Sequence, residues 1–316
     1  MKLTDRQLET LVDRVVDRLE DGMDSPHSAE TGAIQQGSTP TTGAGDLGIF
    51  STVDAAVDAA KKAHSDFMDC SLESRYAFIE AMRKVTLQHL DQLSRMAVSE
   101  TGLGRISDKI EKNRCAASKT PGPEILQPSA FSGDEGLTLT ECAPFGIIGA
   151  VTPCTNATET IINNGIGMIS GGNCAIFNVH PSAKGVCNYF ISLLNQAIMT
   201  AGGPANLISS IASPTIDSAN RLMTHPEVRL VVVTGGPGVV KAAMSSGKRA
   251  VAAGPGNPPV VVDETAHIKK AAKGIIDGCS IDNNIVCIAE KEIIAVADIA
   301  DLLKKEMLSY SAVEIK

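Results

Sequence analysis

From Phe145 onward the chain alternates short, continuous apolar runs with helical stretches, and this pattern restricts the fold more than any other feature. GIIGAVT (146–152), CAIFNV (174–179), LISSI (207–211), RLVVVT (229–234) and PVVVD (259–263) read as strands. Strands that are apolar on both faces and separated by helices belong to a parallel sheet covered on both sides. The expected fold class is therefore α/β. Pro181 stands at a first helical position ahead of VCNYFISLLNQAIM, and Gly202 and Gly203 end that helix. No internal repeat is evident.

The chain ahead of the sheet is organised differently. Residues 51–119 read as helices, with Ser51 as a cap for the Ala/Val face of STVDAAVDAAKKAHSDF. GDEGLTLTEC (133–142) alternates like a strand and predicts a hairpin or arm. At the N-terminus Thr4 and Gln7 have capping-box spacing, and Leu8, Leu11, Val12, Val15 and Leu19 form one apolar stripe. A linker rich in Gly, Ser, Thr and Pro follows over 21–47. A helix held away from its domain must cover its stripe, either by folding back on its own core or against something else.

Charge and composition remove several functions. With 28 basic and 36 acidic residues the net charge is −8, which disfavours phosphate backbones and anionic membranes. Aromatic residues make up 3% and Trp is absent, so the stacking platforms of a single-strand nucleic-acid binder are missing. No nucleic-acid or membrane partner is expected, and no apolar run reaches the length of a bilayer span. The 8 cysteines are scattered without a CxxC pair, which predicts reduced thiols in a cytoplasmic protein with no metal site.

Four segments carry candidate chemistry. GGPGVV after RLVVVT brings Gly235, Gly236 and Gly238 to a strand-to-helix turn, where free N–H groups can bind a pyrophosphate. The same glycines could serve only the backbone angles of a tight turn. GPGNPP (254–259), beginning at Gly254, is either a second such loop or a rigid bend. FGIIGAVTPCTNA places Pro153, Cys154, Thr155 and Asn156 at the carboxyl end of a strand, where α/β sheets bind ligands; Asn156 could cap the next helix or donate to an oxyanion. SIDNNIVCIAEKEII puts Cys287 between a polar turn and the strand KEIIAVA. A cysteine among Ile and Val can equally be inert core, and Cys154 is a rival nucleophile by its loop position.

Taken in order and spacing, FGIIGAVTP–TNA, FNVHPSAK, VVVTGGPG, GPGNPPVVVD and DNN–CIAEKE resemble the aldehyde dehydrogenase superfamily over about Gly48 to Lys316. The wording is closest to the CoA-acylating branch of bacterial microcompartments, the propionaldehyde and acetaldehyde dehydrogenases. The resemblance implies an aldehyde dehydrogenase fold: a Rossmann-like parallel-sheet domain at 48–263, with an oligomerisation arm at 133–143, and the start of a second α/β catalytic domain at 264–316. It implies Cys287 as nucleophile and Asn156 as oxyanion donor. Thr152, Pro153, Asn178, His180, Pro181, Gly235, Gly236, Gly238 and Gly254 would contact NAD, with NADP not excluded, and CoA would be the co-substrate. Cys154 would line the nicotinamide channel. Residues 1–20 resemble encapsulation peptides that dock on a shell protein, which implies a place inside a microcompartment and, for the complete protein, a homo-oligomer.

Two departures are informative. Hydrolytic members carry a water-activating Glu two residues before the first Gly of the motif matched by GPGNPP, and here that position is Ala252. Without that base a thioester waits for a better nucleophile, and a thiol needs far less activation than water. Family members also continue well past the position of Lys316, which predicts an exposed apolar edge on this chain and little activity. The favoured expectation is oxidation of a short-chain aldehyde to acyl-CoA. The alternatives are a hydrolytic dehydrogenase using another base and a non-catalytic shell-cargo or assembly protein.

Overall fold

The computed structural model describes residues 47–315. The striped helix expected over 1–20 and the linker expected up to residue 46 lie outside the described residues.

Six parallel strands form the main sheet: β1 (Ile49–Phe50), β4 (Ile147–Val151), β5 (Cys174–Asn178), β6 (Ile208–Ile211), β7 (Val228–Thr234) and β8 (Arg249–Ala253), in the order β1-β6-β5-β4-β7-β8. Every residue of β4, β5 and β6 is buried, as continuous apolar runs require of strands covered on both faces. The chain winds outward from β4 through α5 (Ala157–Ser170) to β5 and through α6 (Lys184–Thr200) to β6. It then returns through α7 (Ile216–Thr224) to β7 on the other side of β4. This reversal of strand order leaves a crevice at the carboxyl ends of β4 and β7, the place where open α/β sheets take ligands.

The helices fall into layers. α1 (Val53–Met68) and α7 pack against the sheet on one face, while α5 and α6 cover the other. α2 (Leu72–Gln88), α3 (Leu90–Thr101) and α4 (Ile106–Lys119) pack outside α5 and α6. The cap of α1 is Thr52, whose hydroxyl accepts from the Ala55 N–H, rather than the neighbouring Ser51. Gly149 admits α7 closely: a Cβ there would stand 3.0 Å from Leu222 Cγ.

The expected hairpin is present as β2 (Ser129–Gly133) and β3 (Gly136–Thr140), antiparallel and exposed throughout. It begins earlier than the alternation in GDEGLTLTEC suggests. Pro181 opens a 3₁₀ turn at Pro181–Ala183 instead of α6 itself, which starts at Lys184.

One strand belongs elsewhere. Pro259–Val262 (β9) does not join the main sheet but pairs in parallel with β10 (Glu292–Ala295). Around this pair, α9 (Ile268–Ser280) and α10 (Ala297–Ser309) enclose a small core of Val262, Ala272, Ile275 and Leu303. The main sheet's outer strand on that side is β8, which the apolar-run pattern had not marked. On the second sheet the cross-strand partners Val261 and Ile294 are 73% and 56% exposed. No helix among the described residues is long and apolar enough to cross a membrane.

Candidate active site

A cavity of about 930 Å³ occupies the crevice between β4 and β7 and extends to the loop before β10. Its lining includes Thr152, Pro153 and Asn156 after β4, Asn178, His180 and Pro181 after β5, and Gly235, Gly236 and Gly238 after β7. Gly254 and Cys287 complete the set, so every site residue expected from the sequence faces one space. Cys154 lines it too. The sequence reading did not single out Gly256, Lys291, Asn220 or Met223, which also line the cavity.

The turn after β7 is built for an occupant. Gly235, Gly236 and Gly238 all avoid the left-handed region, so backbone angle does not explain them. A Cβ at Gly236 or Gly238 would meet nothing within 4 Å. Gly238 lies inside α8 (Pro237–Met244), where glycine costs about 0.5–1 kcal/mol relative to alanine. A Cβ at Gly235 would stand 2.7 Å from Val239 Cγ1, whereas no neighbour demands Gly236 or Gly238, which leave open space at a helix N-terminus. The N-terminus of α6 is different, because the Glu100 carboxylate already accepts from the Gly185 and Val186 N–H groups, at 2.7 Å each.

Two buried polar atoms in the lining lack protein partners. Thr152 Oγ1 and Asn156 Oδ1 are both fully shielded and unbonded among the described residues. Buried polar groups are normally paired, so such atoms beside a cavity point to a ligand that completes them. Asn156 occupies the N-cap position of α5 but makes no side-chain cap bond. Its amide nitrogen touches only Thr155 Oγ1, at 3.4 Å. Asn156 therefore makes no cap bond in this structure, and its Nδ2 has no partner among the described residues other than Thr155 Oγ1. His180 turns its Nδ1 back to accept from the Ser182 N–H, while Asn178 Oδ1 accepts from the Ser218 hydroxyl.

The loop that carries Cys287 is tightly specified. A Cβ at Gly256 would collide with the Cys287 carbonyl, so the GPGNPP segment serves close approach to Cys287 as well as bending. Asp282, Asn283 and Asn284 all sit at left-handed φ, between 49° and 60°. Each such non-glycine residue costs on the order of 1 kcal/mol, least for Asn and Asp, so their neighbours must hold them. The Asn284 amide donates to the carbonyls of Cys279 and Glu290. Lys291 donates to the carbonyls of Val286 and Ala289, on either side of Cys287. The Asp282 N–H donates to Asp108, 2.7 Å away. Burial opposes ionisation of Asp108, but that N–H and the Arg105 guanidinium outweigh it and hold its carboxyl below the ordinary range.

Among the described residues that line the cavity, Lys291 is the one lysine, arginine or carboxylic residue. Ala252 lies on β8, paired with Val233, outside the lining. Two thiols differ in kind: Cys174 and Cys187 are buried, and burial pushes Cys174 up to about 12 and Cys187 higher still. Neither can act as a thiolate near neutral pH.

A doubly wound parallel sheet has its glycine turn at the switch point, and the Cys287 thiol lines the same crevice. The chain belongs to the aldehyde dehydrogenase family, whose sequence model matches residues 46–313. It is similar to the acetaldehyde dehydrogenase (acetylating) of Bilophila wadsworthia, 51% identical over 272 residues, which cover 86% of this chain and 56% of that protein. Among solved structures it resembles propionaldehyde dehydrogenase of Rhodopseudomonas palustris with bound CoA and an acylated cysteine. That likeness has a TM-score of 0.83 and 52% identity, over 85% of this chain and 62% of the other. The propionaldehyde dehydrogenase of the Clostridium phytofermentans fucose utilisation microcompartment gives a TM-score of 0.82 and 50% identity, over 84% of this chain and 61% of that one. The chain thus spans less than two thirds of the length of these relatives.

Proposed function

We propose that this chain carries the cofactor crevice and nucleophile of a CoA-acylating aldehyde dehydrogenase, which converts a short-chain aldehyde to its acyl-CoA. The observation that carries this reading is one cavity that joins the glycine turn after β7 to Cys287, with no carboxylate among the described residues that line it. The Cys287 thiolate adds to the aldehyde carbonyl, and the Asn156 amide donates to the oxyanion. A bound nicotinamide dinucleotide supplies the hydride acceptor, NAD by default. Loss of hydride from the tetrahedral adduct leaves a thioester on Cys287. Gly235, Gly236, Gly238 and the orphaned Thr152 hydroxyl are the residues proposed to hold the cofactor, with Pro153, Gly254, Asn178, His180 and Pro181 completing the walls. With Ala252 standing where hydrolytic members carry a water-activating Glu, the thioester persists until the CoA thiol displaces Cys287, forming acyl-CoA and regenerating the thiol.

NADH formation from acetaldehyde or propionaldehyde tests this directly. Sustained turnover is expected only with CoA present. Equal turnover without CoA, yielding the carboxylic acid, would establish the hydrolytic alternative.

Two further assignments complete the reading. The β2–β3 hairpin is proposed as an oligomerisation arm, since Phe131, Leu137 and Leu139 are 64%, 73% and 61% exposed. Residues 1–20 are proposed as a shell-docking peptide that places the enzyme in a microcompartment, supported by their apolar stripe and by the origin of the Clostridium relative. A fluorescent protein fused behind residues 1–20 should co-purify with shells; free fluorescence in their presence would contradict it.

A further inference from the structure

The two loops that supply the nucleophile and the oxyanion donor come from different sheets, and a buried lysine on α4 reaches both. Lys109 has a side chain only 1% exposed. Its ammonium donates to the Thr155 carbonyl, one residue before Asn156, at 3.1 Å. It also donates to Asp282 Oδ2 at 3.3 Å, on the left-handed turn that leads to Cys287. Asp282 is itself fully buried, and its other oxygen accepts from the Arg105 N–H at 2.8 Å. Gly104 has no Cβ because one would strike the Asp282 carboxylate. A buried ammonium is costly unless paired and fully hydrogen-bonded, and such a group resists displacement from the geometry that satisfies it.

We propose that Lys109 is a positioning residue, whose ammonium ties the Asn156 loop to the Cys287 loop and so sets the spacing between oxyanion donor and nucleophile. This rests on the functional reading above. Neighbouring Lys112 gives an internal comparison: it also binds Asp282, but its second partner is Glu159 on α5 rather than the Thr155 carbonyl. Lys112 therefore shares the ion cluster without bridging the two loops.

The test uses the rate of the first NADH burst, with saturating aldehyde and NAD and without CoA, in the whole chain. Lys109→Met should slow the burst roughly 100-fold, the scale of a misplacement of about 1 Å between reacting groups. NAD affinity should hold, and so should alkylation of Cys287 by iodoacetamide, which needs the thiol but no oxyanion donor. Lys112→Met should slow the burst far less. A folded Lys109→Met protein with an unchanged burst would overturn the proposal. Burst and alkylation slowing together, or equal losses in the two lysine variants, would also overturn it, because a loosened loop or a disrupted ion cluster would then explain the effect. If Lys109→Met does not fold, Asp282→Asn keeps the side-chain volume and is held to the same split between burst and alkylation. No burst from the unaltered protein would instead bring down the functional reading itself, so the two failures are distinct.

Discussion

Asn156 shows how much a single side chain can hide from its sequence context. An Asn before a helix is ordinarily a cap, yet here the cap position is filled and the cap bond is not made. Its free amide is the element of the site most exposed to test. Asn156→Ala should lower the burst rate by about 10²–10³-fold, as removal of one oxyanion donor does, with NAD affinity retained. A loss under about tenfold would remove Asn156 from the chemistry. The cysteines were equally ambiguous as residues. Cys154 and Cys287 both flank strands and both line the cavity, and composition alone does not rank them. The family resemblance ranks them, through CIAEKE and its spacing from GPGNPP. Gly256 was invisible for a different reason: its need arises from the Cys287 carbonyl, 31 positions away in a different loop.

Among the elements, the central strands were legible because β4, β5 and β6 are buried on both faces, which writes an unbroken apolar run into the sequence. β8 was not, since RAVAA is an edge strand with alternating exposure and mostly small side chains. β9 looked like a fifth member of the same sheet because an apolar run records burial, not the identity of its neighbours. Only the pairing with β10 assigns it. The turn at Asp282–Asn284 carries its own signature, since Asp and Asn are the residues that tolerate left-handed backbone. Asn283→Gly should leave stability near that of the wild type. Asn283→Val, with a branched Cβ at a φ of 55°, should destabilise by roughly 1–2 kcal/mol in urea unfolding. Equal stability of the two variants would show that this turn is not under backbone constraint.

At the scale of the molecule, one cavity is lined from the crevice of the larger sheet and by the thiol before β10 of the smaller. The account turns on that thiol holding an acyl group that water does not readily take. The most direct measurement is peptide mass spectrometry of the protein trapped with propionaldehyde and NAD in the absence of CoA. The expected result is a propionyl adduct on the peptide containing Cys287, lost on addition of CoA. An adduct on Cys154 or any other side chain, or no adduct at all, would contradict it.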